Sequence, residues 1–243
     1  MPLTPLTPAL FRSVADHTLL APGTTRAELE AFLRGARELG VARVCVSPSA
    51  LPVDPGILAG LEIVTVVGFP SGAHRAEAKA AEAAIAVSEG AAEIDMVVNR
   101  ALMRAGEWEA CEDEIRAVRE ACPARVLKVI IESAALNDEQ IVGACRAAAA
   151  AGADFVKTST GFDPAGGASV RAVRLMRETV GEVLGVKASG GIRSAAAVRE
   201  LWEAGATRFG VSATAAILAD WGAADTDAGT GPRPGPEAAD AGY

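Results

Sequence analysis

Eight short runs rich in β-branched and aliphatic residues, at about 12–16, 43–48, 62–68, 93–98, 126–132, 155–159, 185–189 and 208–212, alternate with Ala, Leu, Glu and Arg-rich segments at helical spacing. Such alternation reads as successive βα units around a parallel sheet. Eight units in 243 residues point to a single closed (β/α)8 TIM barrel, for which about 250 residues is typical. Candidate helices fall near 25–39, 53–59, 74–89, 100–121, 137–151, 166–180, 194–204 and 213–220. Thr24-Thr25 and Asn137-Asp138 supply capping side chains at two helix starts, and Gly40, Gly90, Gly152 and Gly205 stand where helices give way to strands. The barrel accounts for residues 1–221; from 222 to 243 the composition turns to Gly, Pro, Ala and Asp without periodicity, which predicts a flexible tail.

The strand runs are nearly continuous in apolar residues, as strands buried on both faces require. Polar residues gather at their C-terminal ends: Asp16 to Thr18, Ser47, Asp95 to Asn99, Glu132, Lys157 to Thr160, Lys187 to Gly191 and Ser212. A barrel of this kind builds its active site at that end. Half the residues are hydrophobic, and the formal charge of −8 with a pI near 4.9 argues against nucleic acid or an anionic membrane as partner. Cys45, Cys111, Cys122 and Cys145 lack CxxC spacing and lie in apolar or helical stretches, which suits reduced thiols in the cytoplasm. No basic-plus-apolar leader opens the chain, and no run approaches the ~18–20 apolar residues of a membrane span. The expectation is a soluble cytoplasmic enzyme acting on a small molecule, with a homo-oligomer admitted but not specified.

Only four lysines occur, and three of them, Lys128, Lys157 and Lys187, lie inside apolar strand runs. The chain uses Arg for its other cations. Arg does not deprotonate, whereas a desolvated Lys amine does and then attacks a carbonyl. A structural role as three buried, ion-paired lysines stands as the alternative. Strand alternation puts Phe155, Lys157 and Ser159 on one face and Thr158 on the other, and the same parity turns Lys187 toward the same interior from the neighbouring strand. With strands about 4.8 Å apart, the two amines repel, and burial adds to the repulsion, so one amine should be neutral and nucleophilic near neutral pH. Asp95, alone in an apolar strand, needs a partner or a function, and Lys128 is its expected barrel neighbour. Glu93 and Glu132 are read as stabilising strand ends.

Gly190-Gly191 before Ile192-Arg193-Ser194 offers backbone N–H groups at a helix start after the seventh strand, and Ser212 follows the eighth; these two loops form the common phosphate site of the architecture. His17 and His74 are the only histidines, without HxH or HExxH spacing, and no Gly-x-Gly-x-x-Gly follows the first strand. The expectation is therefore no metal and no cofactor. Cys45 reads as a buried small hydrophobe ahead of an active-site thiol.

The segments Asp16-His17-Thr18-Leu19-Leu20, Cys45-Val46-Ser47-Pro48, Val67 to Gly72, Glu93 to Val97, Leu127 to Glu132, Ala153 to Phe162 and Val186 to Arg193 run in one order over residues 12 to 220. In these segments the chain resembles the deoxyribose-phosphate aldolase family. The resemblance implies reversible cleavage of 2-deoxy-D-ribose 5-phosphate to acetaldehyde and D-glyceraldehyde 3-phosphate. It makes Lys157 the Schiff-base lysine, Lys187 the neighbour that lowers its pKa, and Asp95 part of the proton relay. Thr158, Gly190, Gly191 and Ser212 become substrate or phosphate contacts, with Asp16, Thr18, Cys45 and Lys128 in support. One departure is visible: the family's Gly-Thr-Ser-Ser-Gly is Gly210-Val211-Ser212-Ala213-Thr214 here, which weakens phosphate binding unless Thr214 supplies a donor. Tyr243, the only tyrosine, resembles a terminal tyrosine of some members that reaches the active site as a proton relay. A transaldolase-like Schiff-base enzyme and a non-catalytic sugar-phosphate binder are the rival readings of the residues.

Overall fold

The computed structural model describes residues 4–227; residues 228–243, with Tyr243, lie outside the described residues. Eight parallel strands close a barrel in chain order: β1 Ala15–Leu19, β2 Arg43–Val46, β3 Glu62–Val67, β4 Glu93–Val97, β5 Val126–Ile130, β6 Phe155–Lys157, β7 Gly185–Ser189 and β8 Arg208–Val211, with β8 pairing back onto β1. The helices are α1 Pro8–Val14, α2 Arg26–Leu39, α3 Pro55–Leu58, α4 Ala76–Ser88, α5 Arg100–Ala105, α6 Trp108–Ala121, α7 Asp138–Ala150, α8 Val170–Val180, α9 Ala195–Glu203 and α10 Thr214–Asp227. None of them is long and apolar enough to cross a membrane.

Local signals start two of the helices where they were expected, whereas the helix expected over 166–180 begins at Val170 behind a Ser169 cap. Thr25 and Glu28 form a reciprocal capping box on α2, and Asn137 and Gln140 form one on α7. Gly40 ends α2 in the left-handed conformation, with φ +70°. The structure corrects three further expectations. Residues 12–14 belong to α1, not to the first strand, because Thr7 caps and Pro8 opens a short helix there. Phe11 of that helix is buried against Phe209 and Trp221, at centroid distances of 6.1 and 5.3 Å. The helix predicted over 100–121 is two, broken at Gly106 (φ +73°), and the break sends Trp108 against Gly143, where an added Cβ would lie 2.4 Å from the indole. Finally, α10 continues through Asp227, past the predicted end at residue 220.

Register divides each strand into two faces. The outward set, including Val44, Val46, Ile63, Ile94, Met96, Leu127, Val129, Val156, Val186 and Phe209, is buried beneath the helices. Each such side chain contributes about 1.5–3 kcal/mol on burial, so the shell between strands and helices carries the fold. The inward set is different in kind. Asp16, Arg43, Glu93, Asp95, Lys128, Lys157, Lys187 and Arg208 all share the barrel interior with Cys45, Val64 and Val66.

Candidate active site

The interior charges form one connected cluster centred on Asp95. Its Oδ2 accepts from Lys157 Nζ and from Lys187 Nζ, both at 2.7 Å, and its Oδ1 accepts from Lys128 Nζ at 2.7 Å. Lys187 also donates to Asp16 Oδ2 at 2.5 Å, and Lys128 contacts Glu93 Oε2 at 2.5 Å. Arg208 ties Asp16 to Glu93 at 2.8 and 3.2 Å, and Arg43 joins Asp16 to Glu62 at 3.3 and 3.1 Å. Asp16, Asp95, Lys128 and Lys187 are fully buried, and Lys157 nearly so. Buried charges need such pairing to be tolerated.

The network does not balance if every group is charged. Five cations, Arg43, Lys128, Lys157, Lys187 and Arg208, face four carboxylates, Asp16, Glu62, Glu93 and Asp95. Among the described residues the cation with the fewest partners is Lys157, whose ammonium would be held by Asp95 alone. Burial lowers the Lys157 pKa below its ordinary 10.5; Asp95 opposes that, and Lys187 adds to the lowering. Burial acts on Lys187 too, but Asp16 and then Asp95 reverse it, and Lys187 is raised and stays protonated. Asp95 is pulled well below the usual carboxylate range: burial would raise it, and Lys128, Lys157 and Lys187 together overcome that. Two amines on one oxygen are thus shifted in opposite directions, Lys157 down and Lys187 up.

Around the mouth, the expected substrate contacts separate into two groups. Gly190 and Gly191 both take positive φ, +86° and +76°, and among the described residues neither amide is engaged by another group. Ser189 pairs in register with Gly210, so these amides and the exposed Ser212 lie at adjacent strand ends. The start of α9 is less available than its position suggested, because Ala195 N already donates to Asp220 Oδ2 at 2.7 Å and Ala197 N to Ser194 Oγ at 3.2 Å. Thr214 does not replace the missing hydroxyl: it is fully buried, 2.8 Å from His17 Nδ1. Thr158 faces away from the interior, as parity predicted. It is fully buried and its hydroxyl donates to Ser189 O (3.2 Å) and accepts from Ser189 N (3.1 Å), which commits it to joining β6 and β7. Thr18 donates to Asp16 O at 2.8 Å. Cys45 sits inside the barrel, where burial pushes its thiol up and out of the nucleophilic range.

A family profile described as DeoC/LacD family aldolase matches residues 16–220. The chain belongs to this aldolase family. A deoxyribose-phosphate aldolase of Kocuria rhizophila is 58% identical over 214 residues, covering 88% of this chain and 97% of that protein. One from Nocardia farcinica is 62% identical over 204 residues, covering 84% and 90% respectively. Among solved structures, the tetrameric deoxyribose phosphate aldolase of Aeropyrum pernix superposes with a TM-score of 0.80 at 31% identity, over 89% of this chain and 92% of that one.

Several residues of this aldolase's interior escaped sequence reasoning. Arg43 and Arg208 reach Asp16 only because β1 pairs with both β2 and β8, and the one usable signal was their inward parity with Cys45 and Gly210. Glu93 does stabilise a strand end, and it does so by closing Lys128 and Arg208. Glu132 lies just beyond β5 in the left-handed region (φ +54°), unusual for a non-glycine residue, and is buried with Thr160 donating to it through N and, at 2.6 Å, Oγ1. Lys79, the lysine outside the strand runs, is as buried as the other three.

Proposed function

We propose that this aldolase cleaves 2-deoxy-D-ribose 5-phosphate reversibly to acetaldehyde and D-glyceraldehyde 3-phosphate through an imine on Lys157. The observation that carries the reading is the shared Asp95 Oδ2, with burial lowering the Lys157 pKa and Asp16 and Asp95 raising that of Lys187. The names of the curated relatives and the imine chemistry of a desolvated lysine support the same substrate and reaction.

The neutral Lys157 amine attacks the C1 aldehyde of the open-chain sugar, and the resulting hydroxyl leaves as water once protonated. Asp95, held as a carboxylate by three lysines, accepts from the amine during attack and keeps it aimed. Lys187 stays charged and raises the cost of protonating Lys157. The protonated imine then draws the C2–C3 bonding electrons into an enamine as a base takes the C3 hydroxyl proton. This releases glyceraldehyde 3-phosphate. Protonation at C2 and addition of water free acetaldehyde and restore the amine, so atoms balance without an oxidant or reductant. The substrate phosphate is assigned to the free amides of Gly190 and Gly191 and to Ser212, away from the start of α9 where Asp220 would repel it. Buried, unpaired cysteines fit a reducing compartment, and we place the reaction in the cytoplasm.

The test is turnover of deoxyribose phosphate, followed by glyceraldehyde 3-phosphate release, in the parent and in Lys157→Arg. Arg keeps a charge but does not attack a carbonyl. A loss of at least about a thousandfold in a folded variant is expected for a nucleophile removed. Parent-like turnover in Lys157→Arg would contradict the assignment.

A further inference from the structure

Lys79 is buried outside the barrel interior, where the imine chemistry has no use for it. From α4 its ammonium donates to Gly72 O (2.7 Å), Val97 O (2.8 Å) and Glu114 Oε1 (2.7 Å), while Glu114 Oε2 accepts from Asn99 N at 2.7 Å. Its stem runs along Gly68, where an added Cβ would lie 2.8 Å from Lys79 Cε. Glu82, also on α4, accepts from Gly68 N at 2.8 Å, and Gly72 N closes back on Gly68 O at 2.9 Å. Both ends of the five-residue loop after β3 are therefore fastened to α4. An apolar pair would hold this helix against the barrel at no desolvation cost. What the ammonium adds is a fixed position for one carbonyl of this loop, Gly72 O, tied to Val97 O at the end of β4.

The loop carries Phe69. Its ring packs on an inward apolar patch of Leu20, Cys45, Val64 and Val66, and meets Phe162 edge-on at 5.3 Å and 86°. Phe162 follows Lys157 by five residues and is 47% exposed, as a side chain at an open mouth would be. Its N–H donates to Thr160 Oγ1 at 3.1 Å, and Thr160 is clamped by the buried Glu132. The patch and the lysines share one interior: Val66 is in register with Asp95, whose Oδ2 binds Lys157.

We propose that Lys79 is a positioning residue for the reaction: through the β3 loop it sets Phe69, which with Phe162 forms the apolar wall on which the substrate's carbon chain rests as the imine forms. The proposal rests on the aldolase reading above. Cleavage turns a charged imine into a neutral enamine, and an apolar wall opposite Lys157 holds the uncharged species and keeps water from its carbon.

The experiment compares KM and kcat for deoxyribose phosphate in the parent, Phe69→Ala, Lys79→Met/Glu114→Leu, and the triple variant combining them. Borohydride trapping at saturating substrate follows imine formation. Phe69→Ala should raise KM about tenfold, the scale of one lost aromatic contact, with kcat within about threefold and trapping intact. The charge-free pair should raise KM by the same factor, and adding Phe69→Ala to it should change KM by less than about twofold. An unchanged KM in Phe69→Ala would remove the wall. Multiplying KM effects would remove the route from Lys79 to Phe69. Should the pair variant fail to fold, Glu82→Ala frees the same loop at Gly68 and carries the same comparison against Phe69→Ala. A parent without turnover of deoxyribose phosphate sinks the aldolase reading; the wall fails when the parent is active and Phe69→Ala matches it.

Discussion

Replacing Lys187 with Leu removes the positive charge that shares Asp95 Oδ2 with Lys157, the proposed nucleophile. Two 2.7 Å bonds to Asp95 Oδ2 hold the nitrogens of Lys157 and Lys187 within about 5.4 Å of each other. At an effective dielectric of about 20, two unit charges about 5 Å apart repel by roughly 3 kcal/mol. Since about 1.4 kcal/mol corresponds to one pH unit, the limb of the pH profile that reports deprotonation of Lys157 should move up by about two units. Loss of Lys187 also leaves Asp95 Oδ2 to Lys157 alone, which pushes in the same direction. The fold should survive, because Asp16 keeps Arg208 and Arg43, and Asp95 keeps Lys128. The assay is kcat/KM for deoxyribose phosphate from about pH 5 to pH 10, beside the pH dependence of borohydride trapping. A limb that stays within about half a unit of the parent's would refute electrostatic coupling between the two lysines.

Gly191 offers a cleaner probe of the phosphate position than Gly190. A Cβ at Gly190 would meet Gly167 Cα at 3.0 Å, whereas among the described residues nothing lies within 4 Å of one at Gly191, and Asp tolerates the positive φ there better than most residues. Gly191→Asp should raise KM for deoxyribose phosphate by about tenfold or more, as a like charge beside the anion costs one to several kcal/mol. Unphosphorylated deoxyribose should keep its parent rate, and equal loss on both substrates would point to damage of the loop. Acid stability follows from the carboxylates. Burial alone would raise Asp16, but Lys187, Lys128 and Arg208 take it far below its unfolded 3.8; Asp95 is lowered likewise by its three lysines. Their contribution is therefore complete above about pH 5, and below that the unfolded chain binds protons that the folded protein refuses, so stability falls with pH. Between pH 5 and pH 3 the urea midpoint should drop more in the parent than in Asp95→Asn, which has already lost its share; equal drops would count against this origin.

Much of the barrel and of the placement of its interior charges was legible because strand parity is a strict constraint. Alternation alone turned Lys157 and Lys187 inward together and Thr158 outward, and the order of strands put Lys128 beside Asp95. What failed to show were effects that depend on chain closure or on the competition between local signals. Residues 12–14 look like the start of a strand, but the Thr7-Pro8 start of α1 outweighs their apolar character. Arg43 and Arg208 are two among many arginines until β8 closes on β1 and delivers them to Asp16. Lys79 sits in an Ala and Glu-rich helix of solvent-facing appearance, and nothing near it in sequence announces that Gly72, Val97 and Glu114 converge on its amine. The substrate role of Thr158 came from resemblance, whereas the geometry gives its hydroxyl to Ser189.

The central claim is that Lys157 alone among four buried lysines bonds covalently to the substrate. Borohydride reduction in the presence of deoxyribose phosphate or acetaldehyde, followed by proteolysis and mass mapping, tests it in one step. A single reduced adduct is expected on the peptide containing Lys157, absent when either borohydride or the carbonyl compound is omitted. An adduct on Lys187 or Lys128, or no adduct under conditions of active turnover, would contradict it.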